Sequence, residues 1–228
     1  MNIQNQTIRT AVLLVLGAPM LYGCSSAPKT PDWQLEAKGA MERSVAAYLD
    51  GNTRIERAEL ARAREQLSRT GRADLVANAE LLHCAARTAS LVFEPCTGFE
   101  ALRPDATEAQ RAYADYLHGQ VTPARIALLP PTQQGAAARG AGDASALQGI
   151  QDPLALLVAA GVLLQTGKAN PASVAQAVDT ASSQGWRRPL LAWLGVQLQR
   201  ATQAGQTAEV ARLSRRIELV QGSAAIAK

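Results

Sequence analysis

The last third of this 228-residue chain repeats itself after 34 positions. Six of the ten residues from 156 to 165 recur, and the matches pair Leu156 with Leu190, Leu157 with Leu191, Gly161 with Gly195, Val162 with Val196, Leu164 with Leu198, and Gln165 with Gln199. A period of this length fits a helix, a turn and a second helix. Because such a hairpin buries only one face by itself, neighbouring hairpins have to stack to form a core. The repeat therefore predicts stacked antiparallel helical hairpins.

Helix start signals support the same architecture. Asp152-Pro153 and Asn170-Pro171 each place a capping side chain directly before a proline, which is a common beginning of a helix. Aromatic residues make up only 4% of the chain, and its apolar residues are mainly Ala, Leu and Val. Since Ala and Leu favour helices, the fold class is predicted to be all-α.

Residues 152–221 resemble the tetratricopeptide repeat (TPR) family. Leu194-Gly195 occupies the place where the first helix of a TPR carries a Leu-Gly pair. The family's Tyr and Phe positions lack aromatic residues here, and its Trp position is flanked by Trp186 and Trp193. Two amphipathic hairpins rich in Ala and Leu would also look alike by composition alone.

The resemblance implies a TPR-like α-solenoid, whose concave groove usually binds a peptide or another protein. We expect four side chains of the repeat to line this groove: Trp186, Trp193, Gln165 and Gln199. A large aromatic side chain also serves as a wedge between helices, and that role stays open for both tryptophans.

Further helices are predicted before the repeat, at 33–49, 53–70, 73–91 and 104–118, with a short one at 122–130. Thr53 and Glu56 have the spacing of a capping box. Leu75, Ala79 and Leu82 share one face of the third helix. The sequence TQQGAAARGAG at 132–142 is typical of a flexible linker. The predicted order is a helical region at 32–129, a linker at 130–151 and TPR-like hairpins at 152–222.

The N-terminal residues resemble a bacterial lipoprotein leader. Arg9 precedes an apolar run at 11–21, which is shorter than the roughly 20 residues that span a bilayer. Leu21-Tyr22-Gly23-Cys24 then follows the lipobox pattern of an aliphatic, a variable and a small residue before Cys. The resemblance implies a signal peptide at 1–23 and a covalent lipid on Cys24, with no other cofactor. An ordinary signal peptide with a chance cysteine is the alternative.

Lipidation would anchor the mature chain to a membrane through the acyl chains on Cys24. Ser25 stands where an Asp favours retention in the inner membrane, so the resemblance points to the outer membrane, with the domain facing the periplasm. Residues 24–31 form the predicted tether, and Ser25–Pro31 reach at most about 25 Å. The expected partners are therefore outer-membrane lipid and a protein of the envelope.

Cys84 and Cys96 are predicted to form a disulfide that pins the turn around Pro95 to the preceding helix. An envelope location permits disulfides. A redox role would favour a CxxC pair, which is not present, and zinc would need further ligands than His83 and His118. We therefore expect no metal site.

The sequence contains no GxSxG, HExxH, EF-hand or Glu-Ser motif, so we expect no catalytic residues. Nucleic-acid binding would need a concentrated basic face with stacking aromatics. Here the basic and acidic residues alternate along the second helix, as on a solvated face: Arg54, Glu56, Arg57, Glu59, Arg62, Arg64 and Glu65.

These features predict an interaction scaffold or adaptor in envelope assembly, secretion or maintenance. The alternative is a binder or modifying enzyme of an envelope ligand such as peptidoglycan or lipid, and a third option is a purely structural lipoprotein. A deep pocket that joins a Trp to a His or carboxylate would favour the ligand alternative. A shallow open groove would favour the adaptor.

Overall fold

Helices form all the regular secondary structure in the part of the chain that this computed structural model describes, residues 29–139, 142–143 and 145–226. The all-α prediction is confirmed. The α-helices are α1 (Asp32–Leu49), α2 (Thr53–Ser68), α3 (Ala73–Ala89), α4 (Thr97–Glu100), α5 (Glu108–Leu117), α6 (Pro131–Ala138), α7 (Pro153–Gln165), α8 (Pro171–Ser183), α9 (Arg187–Gln203) and α10 (Thr207–Ile226). Short 3-10 segments occur at Arg103–Asp105 and Pro123–Leu128.

The two predicted Pro-containing helix starts are present. The Asp152 carboxylate accepts a hydrogen bond from the Ala155 backbone N–H at 2.6 Å. The Asn170 side chain accepts one from the Ser173 N–H at 2.8 Å, and the Ser173 hydroxyl accepts one from the Asn170 N–H at 3.0 Å. Both caps satisfy backbone donors that the first turn of a helix leaves unpaired.

Two other predicted starts are wrong by a few residues. Asn52, and not Thr53, caps α2, because its side-chain oxygen reaches the Ile55 N–H at 3.2 Å. Helix α5 begins after Thr107, which forms a capping box with Gln110. The predicted start at Pro104 instead makes a single 3-10 turn.

The predicted linker at 130–151 contains a packed helix, α6, in place of flexible chain over residues 131–138. Proline suits the first position of this helix, because its missing N–H would have no partner there. The buried Gln133 amide donates to the Ala155 carbonyl at 3.0 Å and accepts from the Tyr116 hydroxyl at 2.8 Å. Residues 31–228 accordingly form one compact unit, in which the helices before and after the linker share a core.

The main core joins α3 to the C-terminal hairpins. Gly161 of α7 lies against the Thr88 backbone carbonyl of α3, where the Cβ of any larger residue would clash. Trp193 of α9 is fully buried, and its indole N–H donates to the Ala89 carbonyl at 3.0 Å. The expected groove position of Trp193 is therefore wrong, because this side chain has no exposed surface with which to meet a partner.

The α1–α2 turn is held to the start of α9 by Arg188. Its guanidinium donates to the Tyr48 carbonyl at 2.7 Å and to the Thr53 hydroxyl at 3.0 Å. The same group lies 4.3 Å from the centre of the Tyr48 ring, within cation–π range. This side chain thus connects the first helix to the ninth.

The predicted disulfide between Cys84 and Cys96 is confirmed, with 5.9 Å between the two Cα atoms. It holds the turn that follows α3 against that helix. Phe99, three residues beyond Cys96, is completely buried in the main core. The disulfide and this anchor together fix the short helix α4.

Gly161→Ala and Gly195→Ala change equivalent positions of the 34-residue repeat and provide a matched pair. Gly161→Ala should lower the free energy of unfolding by about 1–3 kcal/mol, because the new methyl group meets the Thr88 carbonyl. Gly195→Ala adds its methyl group in open space on a helix and should raise that free energy by up to about 1 kcal/mol. Urea unfolding followed by circular dichroism measures both, and equal effects would contradict the contact between α3 and α7.

Candidate functional site

An open, mainly apolar cleft of about 260 Å³ lies where α1, α2 and α3 meet. We call it the Trp33 cleft. Its apolar lining consists of Trp33, Ala37 and Met41 from α1, Leu67 from α2, and Leu75, Ala79 and Leu82 from α3. The cleft lies beside the first two turns of α1, close to where the predicted tether ends.

The α3 side of the cleft follows from the spacing of its apolar residues. Leu75, Ala79 and Leu82 fall on one stripe of the helix. Ala79 is buried by α1 and α2, but Leu82 remains 37% exposed. Trp33 faces the same cleft from α1 and is half-buried. A large aromatic and a leucine are therefore left partly exposed in the same cleft, which is typical of an interaction surface.

Polar groups lie only at the edge of the Trp33 cleft. Lys38 and Gln34 project from α1 and Asn78 from α3. Lys38 is highly exposed and stands 3.9 Å from Glu42, while the Asn78 side chain accepts a hydrogen bond from Gln110 at 2.7 Å. Neither a carboxylate nor an imidazole lines the cleft. The arrangement suits the binding of an apolar group with a polar edge.

A second, polar cavity of about 240 Å³ lies beside the disulfide. Arg64 makes two hydrogen bonds to the almost fully buried Glu80 carboxylate, one of them at 2.7 Å, and Arg87 pairs with Glu94. Gly98 approaches the Glu80 carboxylate so closely that a Cβ would overlap it. Each guanidinium in this cavity therefore has a carboxylate partner. The pair of Arg87 and Glu94 joins the disulfide turn to α3, and the pair of Arg64 and Glu80 joins α2 to α3.

His83 connects this polar cavity to α2. Its Nε2 lies 2.9 Å from a carboxylate oxygen of the buried Glu56. The Tyr48 ring stands edge-on to the imidazole, with 6.3 Å between ring centres. Burial lowers the pKa of His83 and the positive charge of Arg87 lowers it further, while Glu56 opposes both effects. His83 is consequently neutral at neutral pH.

The remaining predicted site residues lie on different parts of the surface and core. Trp186 is half-buried just before α9 and packs against Tyr48 and its neighbours. Gln199 is exposed on α9, whereas the Gln165 side-chain oxygen is buried without a hydrogen-bond partner. Cys24 and the signal peptide lie outside the described residues.

Sequence reasoning missed both the Trp33 cleft and the pair of Glu56 and His83. The cleft had one visible signal, the apolar stripe on α3, but nothing in the sequence shows that the stripe is incompletely covered. Glu56 and His83 are 27 residues apart on different helices, and no local pattern relates them.

Among the described residues, no three His, Cys, Asp or Glu side chains cluster as a metal site would require. No helix in the same part of the chain is long and apolar enough to cross a membrane. Comparisons with protein-family models, curated proteins and solved structures gave no match.

The lowered pKa of His83 predicts a pH-dependent stability. In the unfolded chain an ordinary histidine binds a proton near pH 6.5. Because the folded pKa is lower, the unfolded state takes up the proton first, so stability is complete above about pH 6.5 and falls as the pH drops through the folded pKa. His83→Gln keeps a donor for Glu56 but does not titrate, so its melting temperature should fall less between neutral and mildly acidic pH.

The control for this measurement is His118→Gln, which removes the other histidine of the chain. Thermal unfolding at several pH values should show the contribution of His83 intact in this variant. A wild-type pH dependence in the His83→Gln variant would contradict the shifted pKa.

Proposed function

We propose that this chain is a lipid-anchored adaptor of the bacterial outer membrane, which binds an apolar segment of a periplasmic protein in the Trp33 cleft. The observation that carries the proposal is the open cleft itself, in which Trp33 from α1 and Leu82 from α3 are both partly exposed. An open apolar cleft with polar groups only at its edge suits a protein segment better than a charged small molecule.

The position of the cleft fits a membrane anchor on Cys24. Only seven residues, Ser25 to Pro31, separate that cysteine from the start of α1 at Asp32. They span at most about 25 Å. Because Trp33 is the second residue of α1, an acylated Cys24 would keep the cleft close to the membrane surface.

The C-terminal helices support a TPR-like arrangement as the scaffold. Connections of three to five residues join α7 to α8, α8 to α9 and α9 to α10, and each helix packs against the next. Short connections of this kind make antiparallel neighbours. In this proposal the hairpins brace α3 through Gly161 and Trp193, and α3 presents its other side to the partner.

The lining of the Trp33 cleft specifies the chemistry of the partner. An amphipathic helix with apolar residues on one side fits between Trp33 and Leu82. An acidic residue at the edge of that helix would face Lys38, and polar groups would face Gln34 and Asn78. An acyl chain would contact the apolar lining but not the polar groups at the edge. The experiment therefore has to distinguish a bound acyl chain from a bound protein segment.

The anchor is tested by replacing Cys24 with Ala. Cells given a radiolabelled fatty acid should label the wild-type protein and leave the Cys24→Ala variant unlabelled. Lipidation should also bring the wild-type protein into the membrane fraction, where two acyl signals give stable binding. Equal labelling of the two proteins, or no labelling of either, would contradict lipidation at this residue.

The partner is tested by a photoreactive amino acid placed at position 82 and, as a control, at position 35. Leu35 is 54% exposed on α1 but does not line the cleft. In intact cells, position 82 should crosslink to an apolar segment of one envelope protein, and position 35 should not. Peptide mapping by mass spectrometry identifies that segment.

The same crosslinking experiment in the Cys24→Ala background should give much less of the adduct. Equal adducts from positions 82 and 35 would contradict a role of the cleft. Adducts from position 82 that contain only lipid would favour the ligand-binding alternative over the adaptor.

A further inference from the structure

Each acidic residue of α2 has a partner within the protein. Glu56 is buried against His83, and Glu59 pairs with Arg43 at 2.8 Å across to α1. Glu65 pairs with Arg69 one turn further along the same helix. Acidic and basic residues alternate along the sequence of α2, but the acids are paired within the protein, so the surface of the helix is mainly basic.

Three arginines of α2 remain exposed, and we call Arg54, Arg57 and Arg62 the arginine stripe. None of them has an ion-pair or hydrogen-bond partner among the described residues. The other exposed residues on this side include Ala58 and Ala61, which add no charge, and Glu65, which is paired with Arg69. The stripe covers about 12 Å of the helix, at 1.5 Å per residue.

Nearby acids do not cancel this charge. Asp50 is exposed in the turn before α2, but Arg187 lies over the same turn and donates to the Asp50 carbonyl at 2.6 Å. Glu65 at the other end of the stripe is already paired with Arg69. Glu59 pairs with Arg43 and also attracts Arg62. The outward side of α2 consequently carries an excess of positive charge, which is least compensated at Arg54 and Arg57.

We propose that the arginine stripe binds the phosphate groups of anionic lipids in the membrane that anchors the chain. This inference rests on the proposed anchor at Cys24. A three-residue turn joins α1 to α2, and the two helices pack along their length. The pair of Arg43 and Glu59 shows that the stripe lies beside the second half of α1. A tether of at most about 25 Å and a helix about 24 Å long bring the whole stripe within reach of the lipid surface.

The type of side chain also fits phosphate. A guanidinium donates two parallel hydrogen bonds to a phosphate group and loses less hydration than an ammonium group does. Basic residues beside an anionic leaflet each strengthen binding, and three of them together contribute about a hundredfold at low ionic strength. With the stripe on the lipid surface, the domain would have one fixed side toward the membrane.

The test uses the unlipidated chain from Ser25 to Lys228, which contains the whole compact unit of residues 31–228. The probes are vesicles of phosphatidylcholine alone and of phosphatidylcholine with an equal part of phosphatidylglycerol. The variant is Arg54→Gln/Arg57→Gln/Arg62→Gln. The matched control, Arg139→Gln/Arg212→Gln/Arg215→Gln, removes the same charge from other exposed positions.

In low salt, the wild-type chain and the control should sediment with the phosphatidylglycerol vesicles and not with phosphatidylcholine alone. The stripe variant should bind the anionic vesicles at least about tenfold more weakly. Equal binding by the variant and the control, or no binding of the wild-type chain to anionic vesicles, would overturn the proposal, and the latter would favour an acidic protein as the partner. Circular dichroism of all three proteins shows whether a loss of binding reflects a loss of fold.

This vesicle experiment does not depend on lipidation, because the chain that it uses lacks Cys24. Fatty-acid labelling reports on the anchor separately. Fatty-acid labelling without vesicle binding would support the anchor and contradict the role of the stripe. Vesicle binding without labelling would support the stripe and contradict the anchor.

Discussion

The fold depends on the close approach of α7 to α3, where Gly161 meets the backbone of Thr88. Helices normally stand about 8–10 Å apart because side chains separate them. A glycine at this point lets the helix backbones meet, and the buried Trp193 seals the neighbouring end of α3 through its bond to Ala89. The C-terminal hairpins thereby hold α3 in place, and α3 forms one side of the Trp33 cleft.

A second constraint comes from the carboxylates that α2 and α3 bury. An unpaired buried carboxylate is very costly, so each one has to meet a cation or a hydrogen-bond donor. Glu80 meets Arg64, and Glu56 meets His83. On α2, Glu56 turns toward the interior, while Arg54 and Arg57 close to it in the sequence stay exposed. A sequence of mixed charges thus becomes a helix with one basic side.

The sequence predicted those parts of the fold that local chemistry decides. Asp152 and Asn170 were recognisable as caps because a proline follows each. The Cys84–Cys96 disulfide was predicted because these two cysteines remain once Cys24 is set aside, and the structure confirms it. Adjacent Asn52 and Thr53 are both good caps, so only the reach of the side chain decided between them. Helix α6 was not predicted, because its glycine and glutamines are typical of a linker and the burial of Gln133 depends on Tyr116 and on α7. The Trp33 cleft depends on which apolar residues other helices leave uncovered, and no local pattern records that.

The attachment of Arg188 to the first helices has a consequence for how the chain acquires its structure. The hydrogen bond from Arg188 to Tyr48 joins residues 140 apart, and the bond from Trp193 to Ala89 joins residues 104 apart. Contacts of such long range slow folding, because a large loop has to close before they form. The small cluster of Ala40, Leu60 and Ala79 packs α1, α2 and α3 together without the C-terminal helices. The bonds from Arg188 and Trp193 are therefore expected to form late, after both halves of the chain have become helical.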